Sequence, residues 1–130
     1  MLHSESLYPR DWFRIGRRDL NRARLLFGVS DLEGAAFYCQ QAAEKHLKGY
    51  LLAQNWRLRR IHDLELLLND AVAHQPEFER YRAQCQKITQ YYIEDRYPFT
   101  VASPLTKDEV SESMNAADAI IAYVISLVGD

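Results

Sequence analysis

Arg57 and His62, separated by four residues, are the one pair in this chain whose types and spacing look catalytic. A histidine moves protons as general acid or base, and an arginine stabilises charge developing on a phosphate. The pair brackets Arg57-Leu58-Arg59-Arg60-Ile61-His62, a loop whose three arginines make the spacing easy to meet. His62 has a second reading: with Asp63 it caps the helix that follows, by hydrogen bonds to free backbone groups. Other chemistries find less support. His46, His62 and His74 are scattered without a His-x-x-x-His pair, and Cys39 and Cys85 lie 46 positions apart, so no metal is expected. The five glycines stand singly rather than in a phosphate loop, and the serines fall near the ends and in caps. Neither a cofactor nor a nucleophilic triad is expected.

A second group of polar residues lies on one helix. Ala36, Ala43, Leu47, Tyr50 and Leu51 recur at three- and four-residue intervals and form an apolar side. Gln41, Glu44, Lys45 and Lys48 line the adjoining side, close enough for neighbours to touch. The plain reading is a solvated face with an exposed Glu44–Lys48 pair. Alanines beside it would let another helix approach closely. Arg96, between Tyr92 and Tyr97 and followed by Pro98, suits stacking on a base and contact with a phosphate. Its alternative is a buried anchor paired with Glu44 or Asp63.

Five helical segments position these residues, and no strand pattern is convincing. The first runs from about Pro9 to Phe27, with Pro9 in the first turn and Gly28 as C-terminal cap. Ser30-Asp31-Leu32-Glu33 offers a capping-box start for a second, which continues to about Gln54. The third begins near His62, with Leu64, Leu67, Leu68, Ala71 and Val72 inward and Asp63 set against its dipole. Gln75-Pro76 breaks it. A fourth spans about Glu77 to Ile93, with Phe78, Tyr81, Cys85, Ile88 and Tyr92 inward, and Thr106-Lys107-Asp108-Glu109 is a capping box for the fifth. The end of that helix is apolar all round, through Ile120, Ile121, Val124, Ile125, Leu127 and Val128. It is expected at the bundle centre or shared with a second copy in a two-fold dimer. The fold class is all-α, an antiparallel bundle of four to five helices.

The chain of 130 residues suits one domain over residues 1–130. Few cysteines, no signal-like start and an apolar run too short to cross a bilayer point to a cytoplasmic protein without membrane contact. The net charge of −2 hides an asymmetry: residues 1–60 hold eleven Lys and Arg against six Asp and Glu, residues 61–130 five against twelve. Arg10, Arg14, Arg17 and Arg24 share one stripe of the first helix, opposite Trp12, Leu20, Ala23 and Phe27. That stripe suits phosphates, an acidic partner or a second copy; the alternative is a solvated face.

Asp11-Trp12, then Gln40-Gln41-Ala42-Ala43-Glu44-Lys45, His62-Asp63-Leu64 and Arg96-Tyr97-Pro98 follow in an order that resembles the HEPN domain family (higher eukaryotes and prokaryotes nucleotide-binding). The resemblance spans about Trp12 to Val128 and implies a HEPN-like helical bundle. Metal-independent RNases of that family place an Arg four to six residues before a His, in the later helical region. No histidine follows Arg96 here, so Arg57 and His62 meet the spacing in a different place. The reading that results is a binding module for nucleotide or RNA. Lys45, Lys48, Arg96, Tyr97, Arg14 and Arg17 are its expected contacts, and Gln41, Glu44 and Asp63 its structural polar network. The resemblance further implies a minimal nucleotidyltransferase as partner, in a toxin–antitoxin-type pair. The alternatives are a metal-independent endoribonuclease using Arg57 and His62, and a non-catalytic homodimeric assembly subunit.

Overall fold

A computed structural model describes residues 5–96 and 105–129, with side chains up to residue 89 and from 105 onward. Its elements are α1 (Pro9–Gly28), α2 (Leu32–Ala53), α3 (Leu64–His74), a 3₁₀ helix (Pro76–Tyr81), α4 (Arg82–Arg96) and α5 (Lys107–Val128). Among the described residues no helix is long and apolar enough to cross a membrane.

Local chemistry sets the helix ends. Pro9 opens α1, and Asp31 caps α2 by accepting from the Gly34 amide at 3.0 Å, so no Ser30–Glu33 box forms. Asp63 caps α3 through the Glu65 amide, and Thr106 with Glu109 forms the expected box on α5. Gly28 is the last residue of α1 rather than its cap. Ser30 takes the left-handed position (φ 65°), while the Ser30 and Asp31 amides close back on Phe27 and Leu26. Asn55 (φ 62°) ends α2 in the same way, with Trp56 N donating to Leu51 O. The segment expected to be one helix from Glu77 opens as the 3₁₀ helix, because Pro76 leaves Gln75 extended and the first turn tight.

Helix α2 is the axis of the bundle and packs against each of the other four. Trp12, Phe13, Leu20 and Ala23 of α1 are buried along it. Two glycines make that approach close. A Cβ on Gly16 would stand 2.6 Å from His46 Nδ1, and one on Gly49 2.5 Å from the Phe13 ring. Residue 13 meets 49 and residue 16 meets 46, so the two helices run antiparallel.

The apolar end of α5 finds its cover within the chain. Ile120, Ile121 and Val124 are buried, Ile125 and Val128 are half-buried, and Leu127 alone of the six is exposed, at 38%. The apolar surplus that suggested a dimer through this helix is therefore taken up by its own bundle. An axial helix with neighbours all round needs more apolar cover than a helix at the edge. Phe78, Tyr81 and Tyr123 stack beside Tyr50 to close the same core.

Gly49→Ala is expected to destabilise the fold by ~1–3 kcal/mol, because the Phe13 ring has to move in a packed interface. Gly28→Ala, where the added methyl meets nothing, should instead stabilise by about 0.5–1 kcal/mol. Urea denaturation of the two variants checks the contrast, and equal effects would refute the close-packing account.

Candidate functional site

On the adjoining side of α2, Glu44 and Lys48 are buried and Gln41 and Lys45 half-buried, against the expectation of a solvated face. Gln40 and His46 beside them are at most 2% exposed, and Asp19 of α1, at 3%, reaches Lys45. Burying charge is costly unless every group finds partners. Glu44 is served from three directions: Gln40 Nε2 at 3.2 Å, Lys48 Nζ at 3.1 Å and His62 Nδ1 at 3.1 Å. Lys48 also lies over the Trp12 ring, its Nζ 5.3 Å from the centroid. A second ladder runs beside the first. Lys45 donates to Asp19 at 2.9 Å and to Gln41 at 3.1 Å, and Gln41 passes its amide to Gln40 at 2.6 Å. Arg22 joins Asp19 at 3.3 Å from solvent. The result is one continuous hydrogen-bonded band from Asp19 to His62.

The band forms the floor of a cavity of about 300 Å³ between the start of α1, α2 and the loop ahead of α3. Trp12 and Ile15 form its apolar wall; Glu5, Asp11, Gln41, Glu44, Lys45, Lys48 and His62 supply its polar groups. Ser6 braces the rim, accepting the Trp12 indole N–H on its carbonyl at 2.8 Å and donating its hydroxyl to Asp11 at 2.7 Å. His62 stands at the mouth with its side chain 63% exposed. Gln40 Nε2 also donates to the His62 carbonyl at 2.9 Å, so the histidine is tethered by backbone and ring alike.

Not every residue expected from the sequence gathers here. Arg57 is exposed and is not among the cavity residues, so its spacing from His62 does not become a paired site. Spacing along a loop fixes chain separation but not side-chain direction. Asp63 is absent from the Glu44 network because its carboxylate is committed to the α3 cap. Capping of α3 falls to Asp63 alone, while His62 turns back to Glu44. Arg96 closes α4, but its side chain and the whole of Tyr97 lie outside the described residues, as does the pairing considered for Arg96.

Arg14 and Arg17 lie on the exposed face of α1, with Arg10, Arg18, Asp11 and Asn21 around a shallow recess of about 750 Å³. Arg24 leaves that group to pair with Asp118 of α5 at 3.0 Å. Asp11 lines both the recess and the cavity, so the two share a wall. Asp19, Gln40 and Ile15 are site residues that the sequence reading passed over. Asp19 shares the apolar side of α1 with Trp12 and Ala23, and a carboxylate there was the available signal. Gln40, Glu44 and Lys48 form an unbroken i,i+4 ladder, which was also visible.

Burial pushes the Cys39 and Cys85 thiols up to about 12, with Asp118 adding to the effect at Cys39, so neither supplies a thiolate. Among the described residues no group of three or more His, Cys, Asp or Glu gathers as a metal site.

Removing one member of the buried pair should be costly. Lys48→Met is expected to lose ~3–5 kcal/mol by stranding Glu44. His62→Ala should cost only about 1 kcal/mol, since Gln40 and Lys48 remain on the carboxylate. Denaturant melts of the two variants test this, and a Lys48→Met protein as stable as wild type would show that the pair is not buried in solution.

Comparison with known proteins adds to this geometry. A family model for the HEPN domain matches residues 9–127. The structure is similar to TT1696 from Thermus thermophilus, with 31% identity and a TM-score of 0.78, covering 91% of this chain and 96% of that one. It is also similar to ST0689, an archaeal HEPN homologue, with 27% identity and a TM-score of 0.75, covering 92% and 97% of the two chains. No curated protein matches the sequence. The family match takes in every helix described above, from the first residue of α1 almost to the end of α5: this chain belongs to the HEPN domain family.

Proposed function

We propose that this HEPN domain is a binding module for RNA or a nucleotide, docked through the exposed arginines of α1. The observation that carries the reading is the recess itself, where Arg10, Arg14, Arg17 and Arg18 face solvent with Asp11 as the single carboxylate among its lining residues. Guanidinium groups grip phosphate oxygens in pairs of hydrogen bonds, and a cluster of them on one helix follows a phosphate backbone. The polar band behind supports the reading by holding α1 rigidly on α2. Family resemblance extends the proposal to a two-chain system, in which a minimal nucleotidyltransferase is the partner. A homodimer also belongs to the proposal, with Leu7, Tyr8 and Leu127 among the exposed apolar groups available for it.

Binding of a single-stranded RNA should weaken with salt. Four phosphates neutralised would give a slope of about −3 in log K against log salt concentration. Arg14→Glu with Arg17→Glu should flatten that slope and weaken all sequences alike, whereas Arg24→Glu, outside the recess, should change it little. An affinity unmoved by the double substitution would sink the reading.

A second reading rests on His62. A carboxylate bonded to Nδ1 leaves Nε2 for proton transfer, which is the arrangement a metal-independent RNase needs. In that reading the cations beside the histidine are Lys45 and Lys48 rather than Arg57. Incubating RNA with the protein in chelator decides between the two. The binding-module reading expects intact RNA; cleavage by wild type that disappears in a folded His62→Ala variant would replace it with the RNase.

A further inference from the structure

We infer that the cavity behind the arginine recess receives one unstacked nucleobase, so that the protein selects single-stranded RNA over duplex. The inference rests on the RNA-binding reading and deepens it. Size is the first argument. At about 300 Å³ the cavity lies at the small end of the ~300–1,000 Å³ usual for small-ligand sites, enough for one base or nucleoside.

Charge is the second. Glu5, Asp11 and Glu44 stand beside Lys45 and Lys48 in the lining, so the cavity carries no positive excess to hold a phosphate inside. The recess next door does carry one, and Asp11 forms the wall between them. A neutral, flat, polar-edged group within and its phosphates outside satisfy both halves. The lining suits such a group: Trp12 and Ile15 offer apolar surface, while Gln41, Lys45 and His62 offer polar atoms for a base edge. Lys45 uses two of its three N–H bonds on Asp19 and Gln41, which leaves one to donate.

A base stacked within a duplex cannot enter such a space without leaving its neighbours, whereas a single strand gives one up readily. The strand therefore lies along α1 with its phosphates on Arg10, Arg14, Arg17 and Arg18 and one base turned inward beside Asp11.

The test uses the full chain carrying Trp56→Phe. Trp56 donates to Asp70, away from the cavity, and its removal leaves Trp12 as the only tryptophan. Probes are a single-stranded RNA, a blunt duplex of equal charge, and a free nucleoside monophosphate. We expect the single strand to bind at least tenfold tighter than the duplex and to shift Trp12 emission. Ile15→Phe, which fills the cavity, should abolish the preference while leaving the salt dependence in place. Glu5→Phe at the exposed rim repeats the blockage without disturbing packed residues. A monophosphate that shifts Trp12 emission and competes with the strand supports the site, with the free nucleotide as a source of the base. Equal affinity for strand and duplex without a Trp12 response overturns the inference and leaves the arginine recess as the binding surface. Absence of binding to all three probes overturns both.

Discussion

The contact between Lys48 and Glu44, buried at the floor of the cavity where α1 packs on α2, is the constraint around which the rest of this HEPN domain is arranged. Two opposite charges so little exposed hold together only if their remaining hydrogen-bonding capacity is met. Trp12 covers Lys48, Gln40 and His62 complete Glu44, and these needs fix three elements at once: the start of α1, the middle of α2 and the loop before α3. Gly16 and Gly49 make the arrangement possible by letting the two helices approach until ring and backbone touch. Removing water from the pair and bringing the helices together are one event.

The helices themselves were legible in the sequence, because their signals are local. Pro9, Asp63 and the Thr106–Glu109 box each act within one turn, and the apolar periodicity of α3 holds without reference to the rest of the chain. The burial of Glu44 and Lys48 was not legible in the same way. Both residues ordinarily face water, and only the approach of α1 at two glycines takes them out of it. The terminal apolar turns of α5 left two readings open, the bundle centre or a second copy, and the burial of Ile120, Ile121 and Val124 against the other helices bears out the first. At the site, the i,i+4 ladder of Gln40, Glu44 and Lys48 carried real information about contacts. The Arg57–His62 spacing did not, because a loop leaves the direction of each side chain to tertiary contacts.

In the proposed reading, the two concavities divide the work of recognition by chemistry. The recess on α1 is basic and open, suited to a polyanion whose sequence is not read. The cavity behind it is smaller, mixed in charge and backed by a tryptophan, suited to discrimination by shape and edge. Placing the two on adjoining faces of α1, with Asp11 between them, means that a rigid contact between α1 and α2 sets their separation.

The loop from Gln54 to Asp63 gives this arrangement a further property. The Trp56 ring packs on the core and Arg59 reaches Asp70 of α3 to hold its first half, and the His62 ring and carbonyl fasten its second half to α2. A short segment anchored at both ends has surrendered most of its conformational freedom during folding. The side of the cavity that it forms is thus preorganised, and a ligand arriving there spends little of its binding free energy on ordering the protein.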